Sequence, residues 1–425
     1  MIAKETFWVL CFQIAKMLNG LVSILIVPLY LDIKDQGLWF LMLSFGSIIM
    51  LFSASQNNII LIFGGNEFKH LSFQQFLTSD RSCANAYIKY SNFFFLSILS
   101  GLSLFVFLIY YLYTFGENIS VLTFFLYIFG LFFFALNFAT LTYIESFNEV
   151  SYANKLKTLL VLSIGIIMTY FLMNHYGLKS LYISYLLPMI LFFLYLSYRY
   201  NVKIHQIIKE KTTFSHHKKK IFLNYFKKNS FSMVSGFLLF QIYTPIVYYF
   251  YGSIYSAKVG LSIAIMTALF AVSSTVLHAK LPFVIKLIAN KKYNEAHQFY
   301  KKILFKSLIL YITGMLIGIF LLFYVNVFEI YNQRVVGLHS FVMLSMAWLL
   351  QLITYELVTF TRLFKRELFV KLTLLSSVYI LVTTTLILEY MSVEYIFLGM
   401  LSSYLFALPW IYMKYKQFMI QKMIV

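Results

Sequence analysis

Long apolar runs alternate with short polar segments along almost the whole chain. A helix needs roughly 20 apolar residues to cross a hydrocarbon core about 30 Å thick, so each long run predicts a transmembrane helix. About twelve runs meet this condition. They cover residues 7–31, 38–63, 91–113, 121–144, 158–176, 181–198, 231–251, 259–277, 303–325, 338–360, 372–388 and 395–413. The pattern therefore predicts an all-α integral membrane protein.

The basic residues between the runs indicate the orientation of the spans. Segments rich in Lys and Arg alternate with segments that are poor in them, and the rich segments are expected to face the cytoplasm. The poor segments hold only Lys34, Lys179, Lys258 and Arg334. This alternation predicts an even number of spans, with the N-terminus and the C-terminus both in the cytoplasm.

A long basic stretch divides the chain into two halves. We expect an N-terminal six-helix lobe at residues 1–198, a basic cytoplasmic linker at 199–228 and a C-terminal six-helix lobe at 229–425. The first span of each half is interrupted by a proline, Pro28 in one and Pro245 in the other. Matched interruptions of this kind indicate parallel repeats with a substrate path between them, although two polytopic halves can also look alike through composition alone.

Composition agrees with a membrane protein and excludes several functions. Hydrophobic residues make up 61% of the chain and charged residues 12%, and the mean hydropathy is +0.80. Soluble domains carry roughly 25% charged residues. The net charge of +19 would suggest nucleic-acid binding in a soluble protein. Because the cations here lie between spans, they orient the chain instead, and we expect no nucleic-acid partner.

Motifs for enzymatic chemistry are missing from the sequence. We find no Gly-rich phosphate loop, nucleotide fingerprint or carboxylate metal motif. Cys11 and Cys83 have neither disulfide nor metal-ligand spacing. The outward segments are short, and the longest, 326–337, has no room for a catalytic domain. We therefore expect a transporter without a metal, a cofactor or catalytic residues, and a membrane-embedded polysaccharide polymerase is the less favoured alternative.

Lys16 is the main candidate for binding substrate. It lies about nine residues into the first span, roughly 14 Å deep at 1.5 Å per residue. A lysine there costs at least about 2.5–3.5 kcal/mol to insert, so it should face water, a partner or a substrate. Gln13, Asn19 and Gly20 lie on the same helical face. We interpret Lys16, Gln13 and Asn19 as lining that receives an anionic substrate; the alternative is a structural lysine that pairs with a carboxylate or snorkels.

Glu356 is the carboxylate that lies well inside a predicted span. It is a candidate for proton or sodium coupling, or for a partner of Lys16. Equally, it could reach headgroup water at the inner interface or pair with Arg362. Further candidates for substrate binding are Gln56, Asn57, Gln241 and Lys280. Amides often link transmembrane helices, and Lys280 could simply be an anchor at the inner face, so these residues also have structural interpretations.

Three segments resemble a known transporter family. Residues 36–41, QGLWFL, resemble the start of the second span in the polysaccharide transporter family. The sequence FQIYTP at 240–245, followed by SAKVGLS at 256–262, resembles the start of the second lobe in Wzx-type O-antigen flippases. The segments AKLP at 279–282 and IAN at 288–290 resemble the junction between the eighth and ninth spans of that family.

The resemblance implies a two-lobed flippase of the MOP exporter superfamily. Such a protein moves an undecaprenyl-diphosphate-linked oligosaccharide, the repeat unit of O-antigen or capsule, across the bacterial inner membrane by alternating access coupled to an ion gradient. Its partners would be that lipid, the surrounding membrane lipids, and the polymerase and chain-length regulator of the same pathway. Two features depart from the family: Gln36 replaces a common Tyr, and residues 53–58 lack an acidic side chain. A small-molecule or drug exporter of the same superfamily is the alternative.

Overall fold

The computed structural model describes residues 2–67, 73–78, 82–114, 121–209, 215–278, 280–364 and 368–423. Over these ranges the regular structure is helical, and no strand occurs. Two 3₁₀ helices, Asn326–Phe328 and Val393–Tyr395, accompany the α-helices. The α-helices are α1 Ile2–Leu25, α2 Val27–Tyr30, α3 Ile33–Glu67, α4 Phe73–Thr78, α5 Ser82–Tyr113, α6 Val121–Ser146, α7 Val150–Met173, α8 Lys179–Arg199, α9 Asn201–Lys209, α10 His216–Phe240, α11 Tyr243–His278, α12 Leu281–Ala289, α13 Tyr293–Tyr324, α14 Glu329–Arg334, α15 Leu338–Arg362, α16 Val370–Tyr390 and α17 Leu398–Met423.

Eleven helical segments in the described ranges are long and apolar enough to cross a membrane, and one of them contains a reversal. This segment, Val234–Leu277, has 44 residues. Gly252 within it has φ 74° and ψ −170°, which is not helical. The hydroxyl of Ser256 donates to the carbonyl oxygen of Thr244 at 3.4 Å, although the two residues are 12 positions apart in the sequence. In a straight helix that separation would correspond to about 18 Å. The chain therefore folds back at Gly252, and the predicted fold of about twelve spans is confirmed.

Contacts between helices give their relative directions, which agree with alternating spans. In the first half, Asn19 of α1 contacts Val161 of α7 and Trp8 lies beside Lys155, so the first and fifth spans run parallel. Tyr110 of α5 stacks on Phe124 of α6, and Ser91 bonds to Tyr143, so the third and fourth spans run antiparallel. Both helix pairs have the directions expected of spans that cross the membrane in alternation.

The chain forms two compact units. The first unit comprises Met1–Asp35 and Leu41–Phe237, and the second comprises Gln36–Phe40 and Leu238–Val425. The boundary at Leu238 falls within α10, and the region expected as a linker, 199–228, contains α9 and the first part of α10. Each unit thus includes residues from both halves of the sequence.

The core of the first unit lies among α1, α6, α7 and α8. Phe12, Phe138, Ile164 and Met189 belong to one buried apolar cluster there. The amide of Asn137 donates to the carbonyl oxygen of Met189 at 2.8 Å. Bonds of this kind between membrane helices contribute about 0.6 kcal/mol on average. Packing and interhelical amide bonds together hold these four helices.

The first part of α10 packs in the same unit through aromatic rings. Phe222 is fully buried and contacts the rings of Tyr90, Phe94 and Phe95 on α5 and of Phe63 on α3. Edge-to-face pairs add about 0.5–1.5 kcal/mol each beyond the burial of apolar area. This cluster accounts for the place of the first part of α10 in the first unit.

The core of the second unit lies among α11, α13 and α15. Tyr243, Val247, Phe341 and Trp348 are buried in one cluster. Tyr311 on α13 is also buried there, and its hydroxyl donates to the carbonyl oxygen of Ser345 at 3.0 Å. A buried tyrosine hydroxyl needs such a partner, since leaving it unsatisfied costs about 1–3 kcal/mol.

Gln36 and Gly37, at the start of the second predicted span, pack within the second unit. The side-chain oxygen of Gln36 accepts a hydrogen bond from Arg334 at 3.0 Å, and its amide donates to the carbonyl oxygen of Ala257 at 3.4 Å. A Cβ atom at Gly37 would overlap the backbone of Ser253. The helices approach too closely here for any other residue, which accounts for the Gln-Gly pair in this motif.

Both predicted proline interruptions coincide with breaks in the helices. The helix α1 ends at Leu25 and α2 begins at Val27, with Pro28 in its first turn. Similarly, α10 ends at Phe240 and α11 begins at Tyr243, with Pro245 in its first turn. Proline lacks an N–H group, so the first turn of a helix accommodates it at no cost in hydrogen bonds.

Candidate functional site

Helix α1 in the first unit has two different exposed sides. One carries large apolar side chains that are typical of lipid-facing surface, and these are Phe7, Leu10, Ile14, Leu18, Leu21 and Leu25. The other carries Gln13, Lys16 and Gly20, which are also exposed. A polar exposed strip on a membrane-crossing helix is costly against lipid, so this side is suited to a water-filled path or a substrate.

The buried side of α1 packs against α7. Phe12 and Ala15 are buried, and the amide of Asn19 donates to the carbonyl oxygen of Val161 at 2.8 Å. The oxygen of the same amide lies where a Cβ atom would stand at Gly165. Asn19, predicted as a substrate ligand, thus has a structural partner, and its amide fixes the position of α1 on α7.

Lys16 lies at the edge between the buried side and the polar strip. Its ammonium nitrogen lies 4.2 Å from the centre of the Phe12 ring, a cation–π contact. Among the described residues of the first unit, no carboxylate forms an ion pair with it. A cation–π contact contributes about 0.5–2 kcal/mol, which is less than the cost of placing a lysine in the membrane. The ammonium group therefore remains available to an anion.

A buried ion pair that sequence reasoning did not predict lies in the same unit. Lys157 on α7 pairs with Glu145 on α6, and their side chains are 8% and 17% exposed. The amide of Asn154 also donates to the Glu145 carboxylate, at 3.4 Å. The sequence pattern assigned Lys157 to a cytoplasmic segment, because the apolar run begins only at the next residue. The acidic residue near the end of the preceding helix was the signal that could have identified the pair.

Gln56 and Asn57 lie on α3 in the first unit. Gln56 is almost fully buried and Asn57 half-buried, and their side-chain oxygens have no hydrogen-bond partner among the residues that the structure describes. The carbonyl oxygen of Ser55, beside them, accepts a bond from the amide of Asn229 at 3.1 Å. This part of α3 therefore has unused acceptors, as a polar ligand would require.

The remaining candidates lie in the second unit. Gln241 is half-buried in the short break between α10 and α11, where the backbone is not helical. Lys280 is exposed and immediately precedes α12, which has proline in its first turn. These positions are separate along the unit, and no described contact joins Gln241 to Lys280.

Glu356 lies in the second unit on α15, six residues before the end of this helix at Arg362. It is 0% exposed, and neither carboxylate oxygen has a hydrogen-bond partner within the described ranges. The hydroxyl of Ser307 lies beside it but donates to the carbonyl oxygen of Ser273 at 2.9 Å. The Tyr300 hydroxyl donates to the Glu356 carbonyl oxygen at 2.6 Å, which holds the backbone. A buried carboxyl group without partners is suited to taking up a proton or a small cation.

Metal-binding clusters are not found in the described part of the chain, where no group of three His, Cys, Asp or Glu side chains could hold an ion.

Solved structures share this architecture. A lipid II flippase, MurJ, in an inward closed conformation matches with a TM-score of 0.64 and 14% identity, covering 97% of this chain and 87% of that chain. An inward-facing multidrug resistance MATE family transporter of the MOP superfamily matches with a TM-score of 0.59 and 11% identity, covering 95% of each chain. The chain has the fold of the MOP-superfamily transporters.

A third structure with the MOP fold comes from Pyrococcus furiosus and is described as having a binding pocket of reverse polarity that suggests a different function. It matches with a TM-score of 0.54 and 11% identity, covering 98% of this chain and 96% of that chain. No family model matches the sequence, and no curated protein does so either. At these identities the similarity establishes the MOP fold and nothing finer.

Proposed function

We propose that the chain is a flippase that moves an undecaprenyl-diphosphate-linked oligosaccharide, an O-antigen or capsule repeat unit, across the bacterial inner membrane by alternating access. The observation that carries this proposal is Lys16, an exposed cation on a membrane-crossing helix that forms no ion pair with a carboxylate among the described residues of its unit. A diphosphate head group would offset the desolvation of the ammonium group, since Lys binds phosphate as a point charge.

The neighbours in fold support a lipid-linked substrate. MurJ is described as a flippase for lipid II, and the Pyrococcus furiosus protein is described in terms of the polarity of its pocket. If the charge of the binding pocket is matched to the charge of the substrate, an exposed lysine favours an anionic substrate. The multidrug resistance transporter of the same fold is the basis for the second candidate, a small-molecule exporter.

The test is a flipping assay with purified protein in liposomes. The substrate is a fluorescent undecaprenyl-diphosphate-linked oligosaccharide in one leaflet, and its appearance in the other is followed by chemical quenching. We expect Lys16→Gln to lower the rate about 10–100-fold, because a contact with a charged group contributes about 1.5–3 kcal/mol. Lys16→Arg should retain most of the rate, because it keeps the charge. The matched control is Lys179→Gln, which removes an exposed lysine at the start of α8.

Several results would contradict the proposal. Wild-type protein that leaves the fluorescent lipid in its original leaflet would refute the flippase, and export of a cationic dye by the same liposomes would then favour the small-molecule exporter. Hydrolysis or polymerisation of the lipid-linked sugar by the protein alone would establish an enzyme. Full activity of Lys16→Gln would show that Lys16 takes no part in transport.

A cellular measurement tests the pathway. Deleting the gene should leave lipid-linked repeat units at the cytoplasmic face of the inner membrane, with no long-chain polysaccharide at the surface. Co-purification of the pathway's polymerase or chain-length regulator with the tagged protein would test the proposed partners. Normal surface polysaccharide in the deletion strain would contradict the proposed role.

A further inference from the structure

The buried pair between Glu145 and Lys157 joins α6 to α7 in the first unit. Lys157 is 6% exposed, and Glu145 receives a second bond from Asn154. Ionised groups are rarely buried in a membrane helix unless they are paired, and where they occur they usually mark a pathway. The pair is therefore a candidate for function as well as for structure.

The packing of α1 on α7 brings Lys16 close to this pair. The two helices run parallel, with Trp8 beside Lys155 and Asn19 bonded to Val161. Lys16 lies between these two contacts along α1, and Lys157 lies between them along α7. The two lysines are therefore at a similar level of adjacent helices, close enough to interact electrostatically.

This arrangement combines two cations with one carboxylate. Glu145 neutralises Lys157, whereas Lys16 contacts the ring of Phe12 and pairs with no carboxylate in the described ranges of the unit. Two neighbouring lysines repel each other, and the repulsion is relieved when an anion with more than one charge lies between them. A diphosphate carries the charge that both ammonium groups require.

We propose that Lys16 and Lys157 form a two-lysine site for the diphosphate of the substrate, and that Glu145 is a built-in counter-ion which the diphosphate displaces. This inference rests on the proposed flippase function and assigns residues to its substrate site. Glu145 pairs with Lys157 when no substrate is bound. When substrate is bound, Glu145 competes with the diphosphate for the Lys157 ammonium group. The carboxylate thereby limits affinity and favours release after translocation.

Removing the counter-ion should therefore strengthen binding. Close charge pairs at binding sites couple by about 1.5 kcal/mol or more, so Glu145→Gln should lower the Kd for a lipid diphosphate about tenfold. The same change should slow release and hence turnover. Lys157→Gln should raise the Kd about tenfold or more for the same reason.

A purely structural pair makes different predictions. In that case Glu145→Gln and Lys157→Gln would both lower stability, because each leaves a buried charge without its partner, and neither would change the affinity of the folded protein. The opposite signs of the two affinity changes thus separate a counter-ion from a structural pair.

The experiment measures binding to the full-length protein in nanodiscs. The probes are undecaprenyl diphosphate, inorganic pyrophosphate as the head group alone, and undecaprenyl monophosphate as the lipid with less charge. The matched control is Glu295→Gln, which removes a carboxylate from the exposed ion pair with Lys292. The control should leave the Kd unchanged, and the effect of Glu145→Gln should be larger for the diphosphate than for the monophosphate.

The outcomes separate this inference from the proposed function. If the wild-type protein binds undecaprenyl diphosphate but Glu145→Gln leaves the Kd unchanged or raises it, the counter-ion role is refuted and the flippase stands. If the wild-type protein binds neither lipid nor pyrophosphate, the proposed function and this inference both fail. If Glu145→Gln does not accumulate, the double change with Lys157→Gln is compared with Lys157→Gln alone. The double change should bind the diphosphate about tenfold more tightly than Lys157→Gln, because it also removes the carboxylate, and equal binding by the two variants refutes the counter-ion role.

Discussion

Glu356 gives the sharpest prediction, because its burial has opposite consequences for stability and for transport. The side chain is fully buried in the second unit, and neither carboxylate oxygen has a partner among the described residues. A buried polar group without a hydrogen bond costs about 1–3 kcal/mol. Replacing Glu356 by Leu, which has a similar volume and no polar atoms, should therefore stabilise the protein by about 2 kcal/mol.

The same substitution should abolish transport that depends on an ion gradient. A carboxyl group is retained in a dry position of a membrane protein when it has a function, and here we propose the uptake of a proton or a sodium ion. Leu removes the site. Glu356→Gln keeps the shape but cannot ionise, so it should also lose the dependence on the gradient. The pair of variants separates the loss of charge from a change in packing.

Two measurements on the same preparations check this prediction. Stability is followed as the temperature at which detergent-solubilised protein loses its monodisperse peak in size-exclusion chromatography. Transport is followed in liposomes with an imposed proton or sodium gradient. The matched control is Glu389→Gln, an exposed carboxylate at the end of α16, which should change neither quantity. A lower melting temperature for Glu356→Leu would refute the argument from burial, and full gradient-dependent transport would refute the coupling role.

Three further predictions concern topology and fold. In a cysteine-free background, a cysteine at Lys219 should be labelled only from the cytoplasm and one at Lys179 only from outside; external labelling at Lys219 would overturn the predicted orientation. Gly252→Ala should destabilise the protein by about 1–3 kcal/mol, because its φ of 74° and ψ of −170° are accessible to Gly alone. The control Gly318→Ala lies inside a helix with nothing near the new methyl group, so in the same melting assay it should leave the stability unchanged or raise it by up to about 1 kcal/mol. Gln36→Ala should cost about 1.5–3 kcal/mol in that assay, since its oxygen accepts a bond from a guanidinium group; an unchanged melting temperature would contradict this contact.

Much of the fold could be predicted from the sequence, because hydrophobic length and the distribution of basic residues are local signals. The apolar runs gave the spans, and Pro28 and Pro245 marked the breaks. The membership of Gln36 in the second unit could not be predicted. Its partner, Arg334, is 298 residues away, and a single sequence carries no signal for such a distant pair.

The candidate site was predictable only where one helix carries it. The strip of Gln13 and Lys16 on α1 follows from helical periodicity, and both side chains are exposed in the structure. Their role in binding substrate stays a prediction. The ion pair between Glu145 and Lys157 was missed because its members lie on two different helices. Both residues also fell just outside the predicted spans, since a search for apolar runs leaves out charged residues at the helix ends. Asn19 was interpreted as a ligand, whereas its bond to Val161 depends on how two helices pack.

The division of the chain has a consequence for attempts to make the two halves as separate polypeptides. A cut between Lys209 and Ser215, in the most polar part of the sequence, would leave the aromatic partners of Phe222 on one fragment and Phe222 itself on the other. It would also leave Gln36–Phe40 on the fragment that lacks the rest of their unit. Neither fragment would contain a complete folding unit, so both would have to be produced in the same cell to reconstitute the protein.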